Sequence, residues 1–177
     1  MTRLKSCTVL LTIAVVHVCL IQWVWTAFDI HGAVFAGLLN WLMMSWIALT
    51  GQFVSLGGPA WYFQIRRFEQ SGWLYQRLGI RWFQMLVGRG PWTVLNPSLR
   101  FSGEVSRLPD LEQAMQKAEA GHGLAFVAVV LLNLIAALRG WWDTAAWLTL
   151  WNIPLNLCPV LLQRWNRARI QRIRRLF

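Results

Sequence analysis

Apolar and polar positions alternate on a coarse scale along the chain, giving four long apolar runs separated by polar segments of unequal length. The first run, CTVLLTIAVVHVCLIQWVW from Cys7 to Trp25, carries no formal charge and is close to the ~20 residues needed to cross ~30 Å of hydrocarbon. The second is AVFAGLLNWLMMSWIALT, the third HGLAFVAVVLLNLIAAL and the fourth AAWLTLWNIPLNLCPVLLQ. They predict an all-α integral membrane protein, one membrane domain over 1–177, with transmembrane helices at about 7–25, 33–50, 122–138 and 145–163. A cleaved signal peptide is the alternative for the first run, because Arg3 and Lys5 precede it and small residues follow.

The fourth run carries Asn152, Pro154, Asn156 and Pro159 in its middle. Each proline removes a backbone donor, and an amide in hydrocarbon needs a partner, so this helix is expected to bend and to turn its asparagines towards protein. His17, inside the first run, is expected to bond a neighbouring helix, and His31 to sit in an exposed loop.

Residues 51–121 form the one long polar segment. From Trp73 onward Leu74, Leu78, Trp82, Met85 and Leu86 recur at helical spacing, while Arg77, Arg81 and Gln84 occupy another face. This pattern predicts an amphipathic helix in the membrane interface, its aromatic face against acyl chains and its basic face against phosphates. GRGPWTVLNPSLRFSGEVSRLPD, ending at Asp110, reads as loop. Asp110 with Gln113 three residues on is a capping-box pattern that starts a helix. That helix is expected to continue across Gly121 and Gly123 into the third span, placing Glu112, Glu119 and His122 along one face.

Charge sets the expected orientation. Two of the seventeen Lys and Arg residues precede the first run, eight lie between the second and third, six follow the fourth, and only Arg139 remains for the other side. The positive-inside rule then puts both termini and the long segment in the cytoplasm of a multi-pass cell-membrane protein. A net charge of +10 beside 56% hydrophobic content points to anionic lipid headgroups and not to nucleic acid, since the cations flank apolar runs. Trp23, Trp25, Trp141, Trp142 and Trp165 lie near run ends, as interfacial tryptophans do. Cys7, Cys19 and Cys158 have no paired spacing and read as small hydrophobes.

Glu119 and His122 form an E-x-x-H pair. A carboxylate holding one ring nitrogen would leave the other to take a proton from a hydroxyl; a solvated helix entrance is the competing explanation of the same spacing. Di-metal bundles need the motif twice with further carboxylates, and seven acidic residues do not supply it, so no metal is expected. Hydrolase-elbow, Walker, dinucleotide and zinc-protease motifs are absent from the sequence.

FEQSGWLYQRLGIRWFQ, AEAGH and N-x-x-P with QRWNRAR occur in that order, with Phe68, Glu69 and Gly72, then Glu119 and His122, then Asn156, Gln163, Arg164, Asn166 and Arg167 as their key positions. In these features the chain resembles the glycosyl-4,4'-diaponeurosporenoate acyltransferases, small membrane proteins of carotenoid biosynthesis. The resemblance implies transfer of a fatty acyl group to a sugar hydroxyl of a glycosylated carotenoid or related glycolipid. Matching that chemistry to the residues makes His122 the candidate base and Glu119 its orienting group. Asn156, Asn166 and Arg167 become candidate donors to the oxyanion or sugar, with Gln163 and Glu69 as further substrate-binding candidates. Arg77 and Arg81 are candidates for the phosphates of an acyl-CoA or acyl-carrier-protein donor, with no bound cofactor. A non-catalytic membrane scaffold, gathering pathway enzymes or forming a homo-oligomer, is the competing function.

Overall fold

The computed structural model describes residues 3–54, 57–89 and 104–175. Among them are helices and turns but no strand, and four helical stretches are long and apolar enough to cross a membrane: Lys5–Ala27, Ala33–Thr50, Val105–Leu138 and Trp142–Arg174. The helices are α1 (Arg3–Ala27), α2 (Ala33–Thr50), the short α3 (Ala60–Phe63), α4 (Arg67–Gln70) and α5 (Trp73–Arg77), then α6 (Ile80–Arg89), α7 (Leu108–Leu138), α8 (Trp142–Asn152) and α9 (Cys158–Arg174). A π-helical turn, Ile153–Leu157, lies between α8 and α9. Its sequence, IPLNL, contains Pro154, and Pro159 follows in the first turn of α9, so the wide turn falls where missing backbone donors weaken ordinary helix bonding.

The chain divides into two compact units: Met1–Leu56 with Gly121–Leu157, and Gly57–Ala120 with Cys158–Phe177. In the first unit Val24, Phe35, Ala36, Leu39, Leu42, Val129, Ala136, Ala145 and Leu148 form the core. Leu11, Val15, Leu131, Leu134 and Leu138 stay exposed on the outside, the distribution of helices solvated by lipid instead of water. Polar links tie these helices together. His17 puts Nδ1 2.8 Å from the Ile13 carbonyl oxygen and Nε2 3.1 Å from Ser45 Oγ on α2. His31 lies in an exposed turn, its Nδ1 2.7 Å from an Asp143 carboxylate oxygen. A Cβ on Gly37 would stand 3.0 Å from the Trp151 ring, whose Nε1 donates to the Ala33 carbonyl at 2.9 Å, so α2 and α8 pack closely only because residue 37 has no side chain.

The second unit has two small cores, one of Tyr75, Ile80, Leu162 and Trp165, the other of Leu108, Leu111, Met115 and Ile170. Here the structure changes three expectations. The amphipathic helix is broken: α5 ends at Arg77, Gly79 takes a left-handed φ of 72°, and α6 restarts at Ile80. The face it buries is Tyr75 and Ile80, leaving Trp73, Leu78, Trp82 and Leu86 exposed. Asp110 lies inside the first turn of α7 and is not its cap, because the helix begins at buried Leu108 and Pro109 is tolerated in a first turn. Trp165 does not present its ring outward as an interfacial anchor would; it is buried, stacked 6.4 Å from the Tyr75 ring. Of the expected loop ending at Asp110, residues 90–103 lie outside the described residues.

Candidate functional site

The second unit is organised around two buried glutamates and two arginines. Glu69 comes from the single turn of α4 and reaches back so that Oε2 accepts the Arg66 N–H at 2.7 Å, while Oε1 accepts the Tyr75 hydroxyl. Gly72, at φ 75°, turns the chain from α4 into α5 and brings Tyr75 to this position. A side chain there would place Cβ 2.9 Å from Trp165 Nε1, so both the backbone angle and the space select glycine.

Arg164 of α9 meets Glu69 through two parallel bonds, Nε to Oε1 at 2.7 Å and Nη2 to Oε2 at 2.9 Å. Its Nη1 donates to Glu119 Oε1 and to the Tyr62 carbonyl, both at 2.8 Å, and Nη2 also reaches the Gln64 carbonyl at 3.2 Å. One turn on, Arg167 donates through Nη1 to Glu119 Oε2 at 2.6 Å and through Nη2 to the Phe63 carbonyl. The carbonyls of residues 62–64 belong to the end of α3, where the helix offers acceptors without intrahelical donors. Two carboxylates and two guanidiniums thus neutralise one another in the interior, with Glu119 and Arg167 at 0% and 1% exposure.

The network sets the ionisation around it. Burial pushes the Glu69 carboxyl up, but hydrogen bonds from Arg164, Tyr75 and the Arg66 backbone outweigh it and hold the group below its usual 4.5. Burial and the Glu69 carboxylate push the Tyr75 phenol well above its ordinary value, and burial with the Glu119 charge raises Tyr62.

The pairing repeats one heptad away. Glu112 accepts from Gln171 at 2.6 Å and from Arg174 at 3.1 Å, so α7 and α9 run antiparallel with acids seven apart facing donors seven apart. Asn166 and Arg169, on another side of α9, line an open groove of about 240 Å3 with Gln84, Leu108, Met115 and Ile173. Arg77 and Arg81 are exposed and take no part in the cluster; Arg77 lies 4.5 Å above the Trp73 ring.

In the first unit Asn156 occupies the π turn at 0% exposure. Its Nδ2 donates to Asn152 Oδ1 at 2.8 Å and to Asn40 Oδ1 at 3.3 Å. The His122 ring lies against Asn156 and the Leu155 backbone. Among the described residues, four buried side-chain atoms have no hydrogen-bond partner: His122 Nδ1, Asn156 Oδ1, Gln163 Oε1 and Arg167 Nε. All four belong to residues singled out in the sequence.

Arg164, Tyr75 and the carbonyls of residues 62–64 had no assigned role. For Arg164 a signal existed: a chain with seven acids that buries a glutamate must supply a nearby cation, and Arg164 shares a helix face with Arg167.

A family model of glycosyl-4,4'-diaponeurosporenoate acyltransferase matches residues 59–176, more than half of the chain. The chain belongs to this family. No curated protein and no solved structure matches it. The family match spans Glu69, Gly72, Glu119, His122, Asn156, Gln163, Arg164, Asn166 and Arg167, and so takes in the charge cluster and every unpartnered buried atom described above.

Proposed function

We propose that this family member is a multi-pass membrane O-acyltransferase that moves a fatty acyl group from a thioester to a sugar hydroxyl of a glycosylated carotenoid or related glycolipid. The observation that carries this reading is the coincidence of the four unpartnered buried atoms with family-matched residues. An unsatisfied buried polar group costs about 1–3 kcal/mol, and a functional role for it explains why the cost is retained.

His122 takes the proton of the attacking hydroxyl, whose oxygen bonds to the thioester carbonyl carbon; the C–S bond then breaks and the proton passes to the leaving thiolate. Within the second unit, Arg167 Nε–H is a donor and Gln163 Oε1 an acceptor suited to sugar hydroxyls, and Asn166 is a further polar contact at the groove. Glu69 and Glu119 hold Arg164 and Arg167 in place. Arg77 and Arg81, exposed beside Trp73 and Trp82, suit the phosphates of an acyl-CoA or acyl-carrier-protein donor and of anionic lipid. The charge asymmetry supports a cytoplasmic second unit and cytoplasmic termini.

The test is mass spectrometry of membrane lipids and pigments from cells with the protein, without it, and with His122→Ala at matched membrane abundance. The reading expects an acylated glycolipid that disappears in the deletion and in His122→Ala, with its unacylated precursor accumulating. Full acylation by His122→Ala removes the base, and unchanged lipids in the deletion overturn the function.

A further inference from the structure

The orientation of the Asn156 amide follows from its neighbours. Asn40 donates through Nδ2 to the Ala36 carbonyl at 3.0 Å and the Leu148 carbonyl at 3.4 Å, so its oxygen is the end turned to Asn156. Asn152 donates through Nδ2 to the Phe126 carbonyl at 3.2 Å, and its oxygen also faces Asn156. Carbonyl oxygens only accept, so neither Asn40 nor Asn152 can be turned around without losing those bonds. Asn156 must then present its NH2 to both, which uses its two donor hydrogens.

What remains of Asn156 is one acceptor, Oδ1, fully buried and unpartnered. The His122 ring lies against this amide, and its Nδ1 is the other unpartnered buried atom of the unit. One atom only accepts and the other donates when protonated, so each supplies what the other lacks. Catalytic hydrogen bonds are often long or poorly aligned before substrate binds, so a bond between these two atoms need not be formed in the free protein.

We infer that Asn156 is the positioning residue of His122: its locked carbonyl oxygen takes the Nδ1–H, fixing the imidazole in the tautomer whose Nε2 lone pair is the base. The role differs from that of an oxyanion donor, because Asn156 has no hydrogen left to give. Asn40 on α2 and Asn152, one turn earlier in the same helical stretch, act behind it as the clamp that prevents the amide from flipping. Selection of one tautomer by the partner of the opposite nitrogen is a general property of histidine sites. The inference rests on the proposed acyl transfer only where it makes His122 a base; the tautomer itself is independent of any activity.

Nitrogen chemical shifts of 15N-histidine protein in lipid nanodiscs report the tautomer directly, with the His122 signals identified by their loss in His122→Gln. The expected wild-type state is Nδ1–H with unprotonated Nε2. Asn156→Ala and, without touching His122's neighbour, Asn152→Ala should move the population towards Nε2–H. In the acylation assay Asn156→Ala should lower kcat at least about tenfold with KM within about twofold, the signature of a group that does not bind substrate in the ground state. A wild-type Nε2–H tautomer, or one unchanged in Asn156→Ala, overturns the inference whatever the activity does. The expected tautomers in a chain with no acyl transfer leave the inference standing and discard the proposed reaction.

Discussion

Arg164 meets Glu69 side-on, its Nε 2.7 Å from one carboxylate oxygen and its Nη2 2.9 Å from the other, across 95 residues of sequence. Both side chains are largely out of solvent, at 15% and 5% exposure, so removing the arginine leaves Glu69 buried with neutral donors but no cation, and Glu119 with one guanidinium instead of two. Arg164→Ala is expected to destabilise the protein by about 3–5 kcal/mol. Arg164→Lys keeps the charge but not the parallel pair of bonds, and should cost about 1–3 kcal/mol. Thermal unfolding in detergent, followed by size-exclusion, reads both; equal stability of Arg164→Lys and wild type would mean the side-on geometry is immaterial.

Acid should loosen the same contact. The folded Glu69 carboxyl titrates below its ordinary 4.5, so its stabilisation is complete above that value and is lost as pH falls through the lower, folded value. The unfolding temperature of the wild type should therefore drop on acidification below 4.5, and Glu69→Gln should show a smaller acid-induced fall from a lower starting stability.

The two acids of α7 should differ in worth. Glu119 is fully buried between two guanidiniums, whereas Glu112 faces neutral Gln171 and the half-exposed Arg174. Glu119→Ala should cost about 3–5 kcal/mol and Glu112→Ala about 1 kcal/mol. Equal losses in urea or thermal unfolding would show that burial does not set the scale.

Two left-handed glycines give a matched pair. Gly79→Ala meets no atom within 4 Å and should cost only the backbone term of about 1–2 kcal/mol. Gly72→Ala adds a 2.9 Å approach to Trp165 Nε1 and should be clearly worse, with a shift in tryptophan fluorescence that Gly79→Ala lacks.

Much of this was legible in the chain and some was not, for physical reasons. Lipid demands long uninterrupted apolar helices, so the four spans stand out from residue type alone. The common face of Glu112 and Glu119 followed from helix period, and the family residues from their order. The partners did not follow: Glu69 finds Arg164 through tertiary packing, and no local spacing encodes it. The break at Gly79 was hidden because the apolar pattern from Trp73 to Leu86 scans as one helix, although the residues actually buried, Tyr75 and Ile80, belong to a second stripe. Asn156 was visible as an amide in an apolar run, but which of its ends is free depends on Asn152 one turn away and on Asn40, 116 residues earlier on α2.

The antiparallel register of α7 and α9 also bears on how the chain matures. Glu119 is synthesised 45 residues before Arg164 and 48 before Arg167, and Glu69 waits 95 residues for its guanidinium. Until residues 164–167 have been made, these carboxylates lack the guanidiniums that accompany them in the folded interior. The segment that carries Arg164 and Arg167 is thus the one that closes the second unit, and a chain cut short before residue 164 would leave both acids without their cations.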